Sequence, residues 1–326
     1  MRVLHITNLY PEKGNVSYGI FVKEQIDSLR TLGVDCEVLF INAARAGKAE
    51  YFRKIAEIKR RSTDFDLIHC HHTYAAFCSL FFAGVRPPVI TSFLTQGGRD
   101  GKSNHFYYLK RCLYRYAQRH SDFYIIKDSR QADPAWAGKE ACIPNGVDLD
   151  LFREIPRSEA LAKLGLRAKK YILFCSSTNL YRSEKRYDLF RRAVQIVKSK
   201  YDQEVEELAV ENEARERMPH LFNAAAAHLL TSDFEGSPNS VKEALACNTP
   251  VVARDVGNVS WMLGPVAGCY VSESADPHVL AELIHQAISR DKVAGRQRLI
   301  DLQLDMGSVA AQIQDIYTRA LGRKSA

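Results

Sequence analysis

The N-terminal forty residues set the strongest constraint on what this chain can fold into. Val3-Leu4-His5-Ile6 is a short apolar run that reads as a strand, followed by a loop from Leu9 to Tyr18 that contains Pro11 and Gly14. From Gly19 to Leu32 the residues Phe21, Ile26, Leu29 and Leu32 fall on one side of a helix that Gly33 stops. Cys36 to Ile41 supplies the next strand. Strand, loop, helix and strand at this spacing form a βαβ unit, and that crossover requires a parallel sheet. Further strands are expected at Leu67 to His72, Val89 to Phe93, Phe123 to Ile126 and Ala141 to Ile143. Tyr171 to Cys175 restarts the pattern, with a helix from Tyr187 to about Lys198 burying Leu189, Phe190, Ala193, Val194 and Val197.

A chain of 326 residues is longer than one core usually supports, so two domains follow. With 46% hydrophobic and 25% charged residues the composition is that of an ordinary soluble globular protein, and no apolar run is long enough to span a bilayer. The start is too short and too quickly polar for a secretory signal, so a cytosolic protein is expected. The eight cysteines lack any C-x-x-C pair and are read as buried free thiols in a reducing compartment. His69, His71 and His72 invite a metal reading, but no Glu or Asp follows at ligand spacing, and no metal site is expected. The loop after the first strand lacks G-x-G-x-x-G, which argues against a dinucleotide oxidoreductase.

The formal net charge of +7 is concentrated. Arg45 to Arg61 holds seven basic residues against Glu50 and Glu57, with Phe52, Ile55 and Ile58 as an apolar side. In His105 to His120, Phe106, Leu109, Leu113 and Tyr116 form one stripe while Arg111, Arg115 and Arg119 recur every four residues on another. Solvated amphipathic helices explain both stretches; docking on an anionic membrane surface is the functional alternative. No recognised nucleic-acid motif accompanies the charge, and a nucleic-acid partner is not expected.

The most informative chemistry lies at Glu235-Gly236-Ser237-Pro238-Asn239-Ser240-Val241-Lys242-Glu243, between the apolar run His228 to Thr231 and the helix-forming Ala244 to Ala246. Gly236 tolerates a tight turn, Ser237 is a good N-cap and Pro238 suits the first helical position. The N–H groups of Asn239 and Ser240 would then open the helix end and attract an anion, phosphate above all. Glu243 shares their helix face. A carboxylate only accepts hydrogen bonds, so its place beside an anion site suits a ligand that offers hydroxyls as well as phosphate, as a nucleotide-sugar does.

This segment resembles the E-x7-E signature of family 4 glycosyltransferases (glycosyl transferases group 1), which have the GT-B fold. Other elements resemble that family in the same order: the N-terminal βαβ, Asp66-x-x-His69-x-His71, Pro144-Asn145-Gly146-Val147-Asp148, and the basic loop Ser176 to Arg186. The resemblance implies an α/β protein of two Rossmann-like domains facing each other across a cleft. Residues 1–165 would be the acceptor-side domain and 166–305 the donor-nucleotide-binding domain, with a linker within Arg157 to Lys170, while 306–326 would form a helix returning to the first domain. Carried over residue by residue, Glu235 lies by the donor sugar, Glu243 by the ribose hydroxyls, the Gly236 to Ser240 turn holds the diphosphate, and Arg182 and Lys185 grip it. Gly14, Gly19, His71 and Gln96 fall on the acceptor side. Leu94 stands where the family has a histidine, which puts that contribution in doubt.

The implied activity is a hexosyltransferase that retains anomeric configuration and works without a metal, since no D-x-D metal-binding string is evident in the expected place and the cations can stabilise the leaving diphosphate. It needs no cofactor, only a nucleoside-diphosphate sugar as co-substrate, with a slight preference for UDP. The S-P-N-x-x-K-E form resembles bacterial polysaccharide-assembly enzymes, so the acceptor would be a glycan or lipid-linked glycan at the inner face of the cell membrane. A small soluble acceptor, or a noncatalytic nucleotide-sugar-binding protein of this fold, are the alternatives.

Overall fold

The alternation resolves into two fully parallel sheets in the computed structural model, which describes residues 1–94 and 105–325. The chain divides into two compact units. The first comprises Met1–Pro11, Gly19–Gly146 and Gly307–Ala326; the second comprises Glu12–Tyr18 and Val147–Met306.

In the first unit six strands, β1 (Arg2–Thr7), β2 (Asp35–Phe40), β3 (Leu67–His71), β4 (Val89–Ser92), β5 (Phe123–Ile126) and β6 (Glu140–Cys142), lie in the order β2-β1-β3-β4-β5-β6. Apolar residues cover both faces, as a parallel sheet requires. On one face Val3, Leu67, Ile90, Phe123 and Ile125 meet the helix Ile20–Thr31, through Val22, Ile26 and Leu29, and the final helix Met306–Ser325, through Val309, Ile313 and Tyr317. On the other, Leu4, Ile6, Ile68, Cys70 and Tyr124 pack with Ile58, Ala75, Ala76 and Ala117. Gly19 caps the first helix at φ 68°; a Cβ there would sit 2.3 Å from the carbonyl carbon of Leu9, so only glycine fits this return of the chain.

The second unit carries β7 (Lys170–Ser176), β8 (Val205–Glu211), β9 (Ala225–Leu230), β10 (Val251–Arg254) and β11 (Tyr270–Ser272) in the order β11-β10-β9-β7-β8. The sequence pattern missed β8, because Val-Glu-Glu-Leu-Ala-Val-Glu is an edge strand with its acids outward and only Val205 fully buried. The fold thus has the expected α/β class, but several boundaries differ. Residues 147–165 belong to the second unit: Val147 and Phe152 enter its core with Leu173 and Phe222, and the stretch read as a linker holds the helix Arg157–Leu164, which buries Ala160 and Leu161. Gly14 also belongs to the second unit, where its carbonyl accepts from Asn212 Nδ2 at 3.1 Å.

The basic stretch 45–61 is three short helices rather than one, Ala43–Ala46, Ala49–Arg53 and Ile55–Ser62, with Gly47 at φ 76° interrupting it. In the helix His105–His120 the buried positions among the described side chains are Ala117 and Gln118, and Tyr114 packs on Phe93 at 4.1 Å, whereas Leu109 is exposed. The inner face is therefore rotated from the stripe read off the sequence, because packing on Phe93 selects it. All eight cysteines are free, but Cys112 and Cys142 are exposed rather than buried. No helix among the described residues is long and apolar enough to cross a membrane.

Candidate active site

Strand β9 leads through Thr231 to Pro238 into the helix Asn239–Ala246. The turn is built one residue later than the sequence suggests. Pro238 occupies the cap position, at φ −65° and ψ 120°, and no side chain caps the helix. Ser237, the expected cap, instead accepts from Lys242 Nζ at 2.8 Å and from Asn258 Nδ2 at 3.2 Å. Lys242 is fully buried and also reaches the Ser237 carbonyl at 3.3 Å, so this lysine ties the helix back to its own entry loop. From Val241 to Ala246 every residue is buried, which excludes a capped surface helix.

Backbone packing fixes the turn from the other side. Asn258 N donates to Gly236 O at 3.2 Å, and a Cβ on Gly257 would fall 2.2 Å from that same oxygen. Gly257 lies at φ 54° as well, so close approach and backbone conformation both demand glycine. Thr231 Oγ1 donates to the carbonyls of Lys185 and Arg186 at 2.8 and 3.0 Å, and Asp233 N donates to Glu184 O at 2.8 Å. The basic loop and the glutamate turn are thereby joined into one structure.

Charge is arranged along that junction. Lys185 Nζ lies 2.5 Å from Glu235 Oε1, which also accepts from Ser232 Oγ at 2.8 Å. Arg182 does not join them; its guanidinium turns to Glu184 at 2.7 Å and its side chain is 42% exposed. Glu243 is buried, and its Oε1 accepts from Arg215 Nη1 at 2.6 Å, while the same guanidinium lies 4.4 Å from the ring centre of Phe152. Burial first, and the Glu243 charge second, hold the Cys175 thiol on β7 well above its ordinary range. Arg254 pairs with Asp233, which Arg186 also contacts at 3.3 Å.

His228 orients Ser240. Burial, offset in part by its bond to the Leu173 carbonyl, lowers this imidazole to about 4, so it is neutral near pH 7. Nδ1–H donates to Leu173 O at 3.0 Å, which leaves Nε2 to accept from Ser240 Oγ at 3.0 Å. The arrangement offers an anion the first N–H groups of a helix, with a lysine-paired glutamate before them and an arginine-paired glutamate one turn on. The roles of Arg215, His228 and Asn258 were not legible in the sequence, because each acts through a partner far along the chain or through burial, and Lys242 stood there only as a letter of the motif, its burial unseen.

Gly14 and Gly19 lie in different units, and Gln96 falls outside the described residues. His71 is buried rather than presented: its Nε2 is 3.0 Å from His5 Nδ1, and its ring stacks on His69 at 4.2 Å. The histidine group is therefore His5, His69 and His71, whose ring nitrogens lie within 4.8 Å of one another; His72 instead caps the helix Thr73–Phe77 by accepting from Tyr74 N. Parallel pairing sets this trio, since His5 is registered opposite His69. His69 is held by Tyr317 Oη at 2.6 Å and Ser92 Oγ at 2.8 Å, and the rings stack on each other rather than fan around a common point.

Residues 169–290 match the family model described as glycosyl transferases group 1. No curated protein sequence matches the chain. Among solved structures it is similar to sucrose-phosphate synthase from Thermosynechococcus elongatus, at 15% identity and a TM-score of 0.77, with 99% of each chain covered. It is also similar to Anabaena HepE in complex with UDP-glucose, at 16% identity and a TM-score of 0.70, covering 98% of this chain and 100% of that one. A third is an S. aureus TarM variant in complex with fondaparinux, α-GlcNAc-glycerol and UDP, at 14% identity and a TM-score of 0.65, covering 82% of this chain and 59% of that one. Residues 169–290, within the second unit, are thus similar to the glycosyl transferases group 1 family, and the chain as a whole has the GT-B fold of these solved structures.

Proposed function

We propose that this enzyme moves a sugar from a nucleoside diphosphate, UDP in preference to GDP or ADP, to a glycan or lipid-linked glycan in cell-surface polysaccharide assembly at the cytoplasmic face of the membrane. The observation that carries the donor side is the pair of glutamates flanking one helix tip, each already holding a cation, with Lys185 at 2.5 Å from Glu235 and Arg215 at 2.6 Å from Glu243. A diphosphate at the tip would take the N–H groups of Asn239 and Ser240 and draw Lys185 toward itself. Glu235 would then be released to the sugar hydroxyls, and Glu243 would accept from the ribose. Arg182 has to leave Glu184 to contribute, and its exposure leaves that rotation open. As the glycosidic bond breaks, charge grows on the leaving diphosphate, and fixed cations and the helix end stabilise it more than the ground state, which lowers the barrier.

HepE with UDP-glucose and TarM with UDP share this fold and support a UDP donor. The transfer retains configuration by same-face attack, with Glu235 as sugar anchor, and the cations do the work a metal would otherwise do. Lys185→Ala and Glu243→Ala should each weaken UDP-sugar binding by about 1.5–3 kcal/mol, the cost of a charged hydrogen bond, in calorimetric titrations. Unchanged donor affinity in both variants sinks the site. Activity abolished by EDTA and restored by manganese would remove metal independence, and a product inverted at the anomeric centre by NMR would remove retention. Assays with membrane extracts against simple sugar phosphates decide between a lipid-linked and a small soluble acceptor.

A further inference from the structure

The first unit exposes an aromatic surface that the donor chemistry does not use. Phe52, Phe81 and Phe82 are 60%, 56% and 42% exposed. Phe82 meets Phe52 at 5.4 Å and Phe81 at 5.0 Å, Phe81 stacks on Phe77 at 5.0 Å, and Tyr116 closes the group against Phe77 at 5.3 Å. The π-helical turn Cys78–Ala83 produces this display by burying Cys78, Ser79 and Ala83 and turning its two phenylalanines outward. A contiguous exposed patch of large apolar rings marks an interaction site.

Its surroundings select the partner. Arg111, Arg115 and Arg119, on the helix that supplies Tyr116, are all exposed. From Leu67 to Ser121 the chain has seven Lys or Arg residues and a single acid, Asp100, and the acids near Phe52 in sequence, Glu50 and Glu57, are paired with Arg53 and Lys54. A second copy is disfavoured, because a two-fold contact would set these arginine rows against each other. Sugar stacking is disfavoured as well: Phe77 and Phe81 lie nearly parallel, at 8°, so they spend ring faces on each other. Phenylalanines accompanied by exposed arginines, with the nearby carboxylates already paired to cations, match the boundary of an anionic bilayer.

We propose that this face of the first unit docks on an anionic lipid bilayer, with Phe52, Phe81 and Phe82 entering the headgroup boundary and Arg111, Arg115 and Arg119 resting on lipid phosphates. Docking deepens the lipid-linked-acceptor reading, on which its biological purpose rests, but it is measured without donor or acceptor. The full chain is sedimented with phosphatidylcholine vesicles and with vesicles that also contain phosphatidylglycerol, at low and high salt. Wild type binds the anionic vesicles at low salt and is released at high salt. Phe81→Ser with Phe82→Ser lowers partition by about tenfold or more, and Arg111→Glu with Arg115→Glu by at least about fivefold per arginine. Both variants stay folded by circular dichroism; the arginine variant melts with wild type, and the phenylalanine variant melts lower, having lost its ring contacts with Phe52, Phe77 and Tyr116.

Absence of binding at low salt, equal binding to neutral vesicles, or wild-type binding by the phenylalanine variant overturns docking. So does a concentration-dependent dimer that the phenylalanine variant abolishes, which would assign the patch to a second copy. A UDP-glucose thermal shift on the same preparations keeps the two readings apart. Loss of that shift in wild type removes the donor site and leaves vesicle binding standing, whereas vesicle failure with an intact shift removes docking alone.

Discussion

The two units place polar groups under parallel sheets in opposite ways. In the first, His5, His69 and His71 are fully buried and hydrogen-bonded among themselves and to Tyr317 and Ser92, and burial holds all three imidazoles neutral, with His5 lowered to about 3. Even the buried Lys127, whose Nζ donates to Ile143 O at 3.0 Å, is pushed down to about 8. In the second unit, charge is kept and paired: Lys185 with Glu235, and Arg215 with Glu243. A neutral network in which only His5 Nε2 is left without a partner among the three rings suits a scaffold. Ion pairs at a helix tip keep charge ready to be exchanged for a ligand's, which suits a site.

Acid should break this contrast most strongly. Each of the three histidines has a folded pKa below its ordinary 6.5, so the unfolded chain binds more protons once the pH drops under that value. Stability is therefore complete above about pH 6.5 and is lost as pH falls toward the folded values, at about 1.4 kcal/mol per pH unit per histidine. At pH 5 that is roughly 2 kcal/mol each, against His228 alone in the second unit. Hydrogen exchange corrected for intrinsic rates should show the first unit opening before the second between pH 7 and pH 5; the reverse order would contradict the neutral-cluster assignment.

Next in size is Gly257→Ala, which drives a methyl group into the Gly236 carbonyl at a positive φ. It should cost on the order of 4 kcal/mol in denaturant titrations and abolish UDP-sugar binding. Smaller is Arg215→Ala, which leaves the buried Glu243 carboxylate without this partner and should destabilise by about 3 kcal/mol. Adding Glu243→Gln should recover most of that stability but not donor binding. A double variant as unstable as Arg215→Ala would show that the arginine matters through its packing on Phe152 instead.

Much of the fold was legible because its signals are local. The apolar runs of β1, β3, β5, β7 and β9 and the helices between them announce a parallel sheet twice over. Glu235 to Glu243 announces a strand, a turn and a helix whose N-terminus can take an anion. The errors have local causes too. Strand β8 hides because an edge strand need not be apolar, and the polar stretch Arg157 to Lys170 reads as a linker although Val147 already belongs to the next core. Arg182 and Lys185 look equivalent in the loop, yet only Lys185 reaches Glu235, because Thr231 binds the carbonyl of Lys185 to the end of β9.

Periodicity and backbone preference are properties of neighbouring residues, so the amino-acid sequence by itself determined the alternation of strand and helix, the parallel sheets and the anion-attracting helix end. Which groups meet depends on strand register and on side chains brought together from distant segments. Only tertiary structure decided that Arg215 lies on Glu243 across 28 positions, that His5 rather than His72 completes the histidine group, and that Phe81 and Phe82 face outward. Burial and register, which no local pattern encodes, are the physical reason.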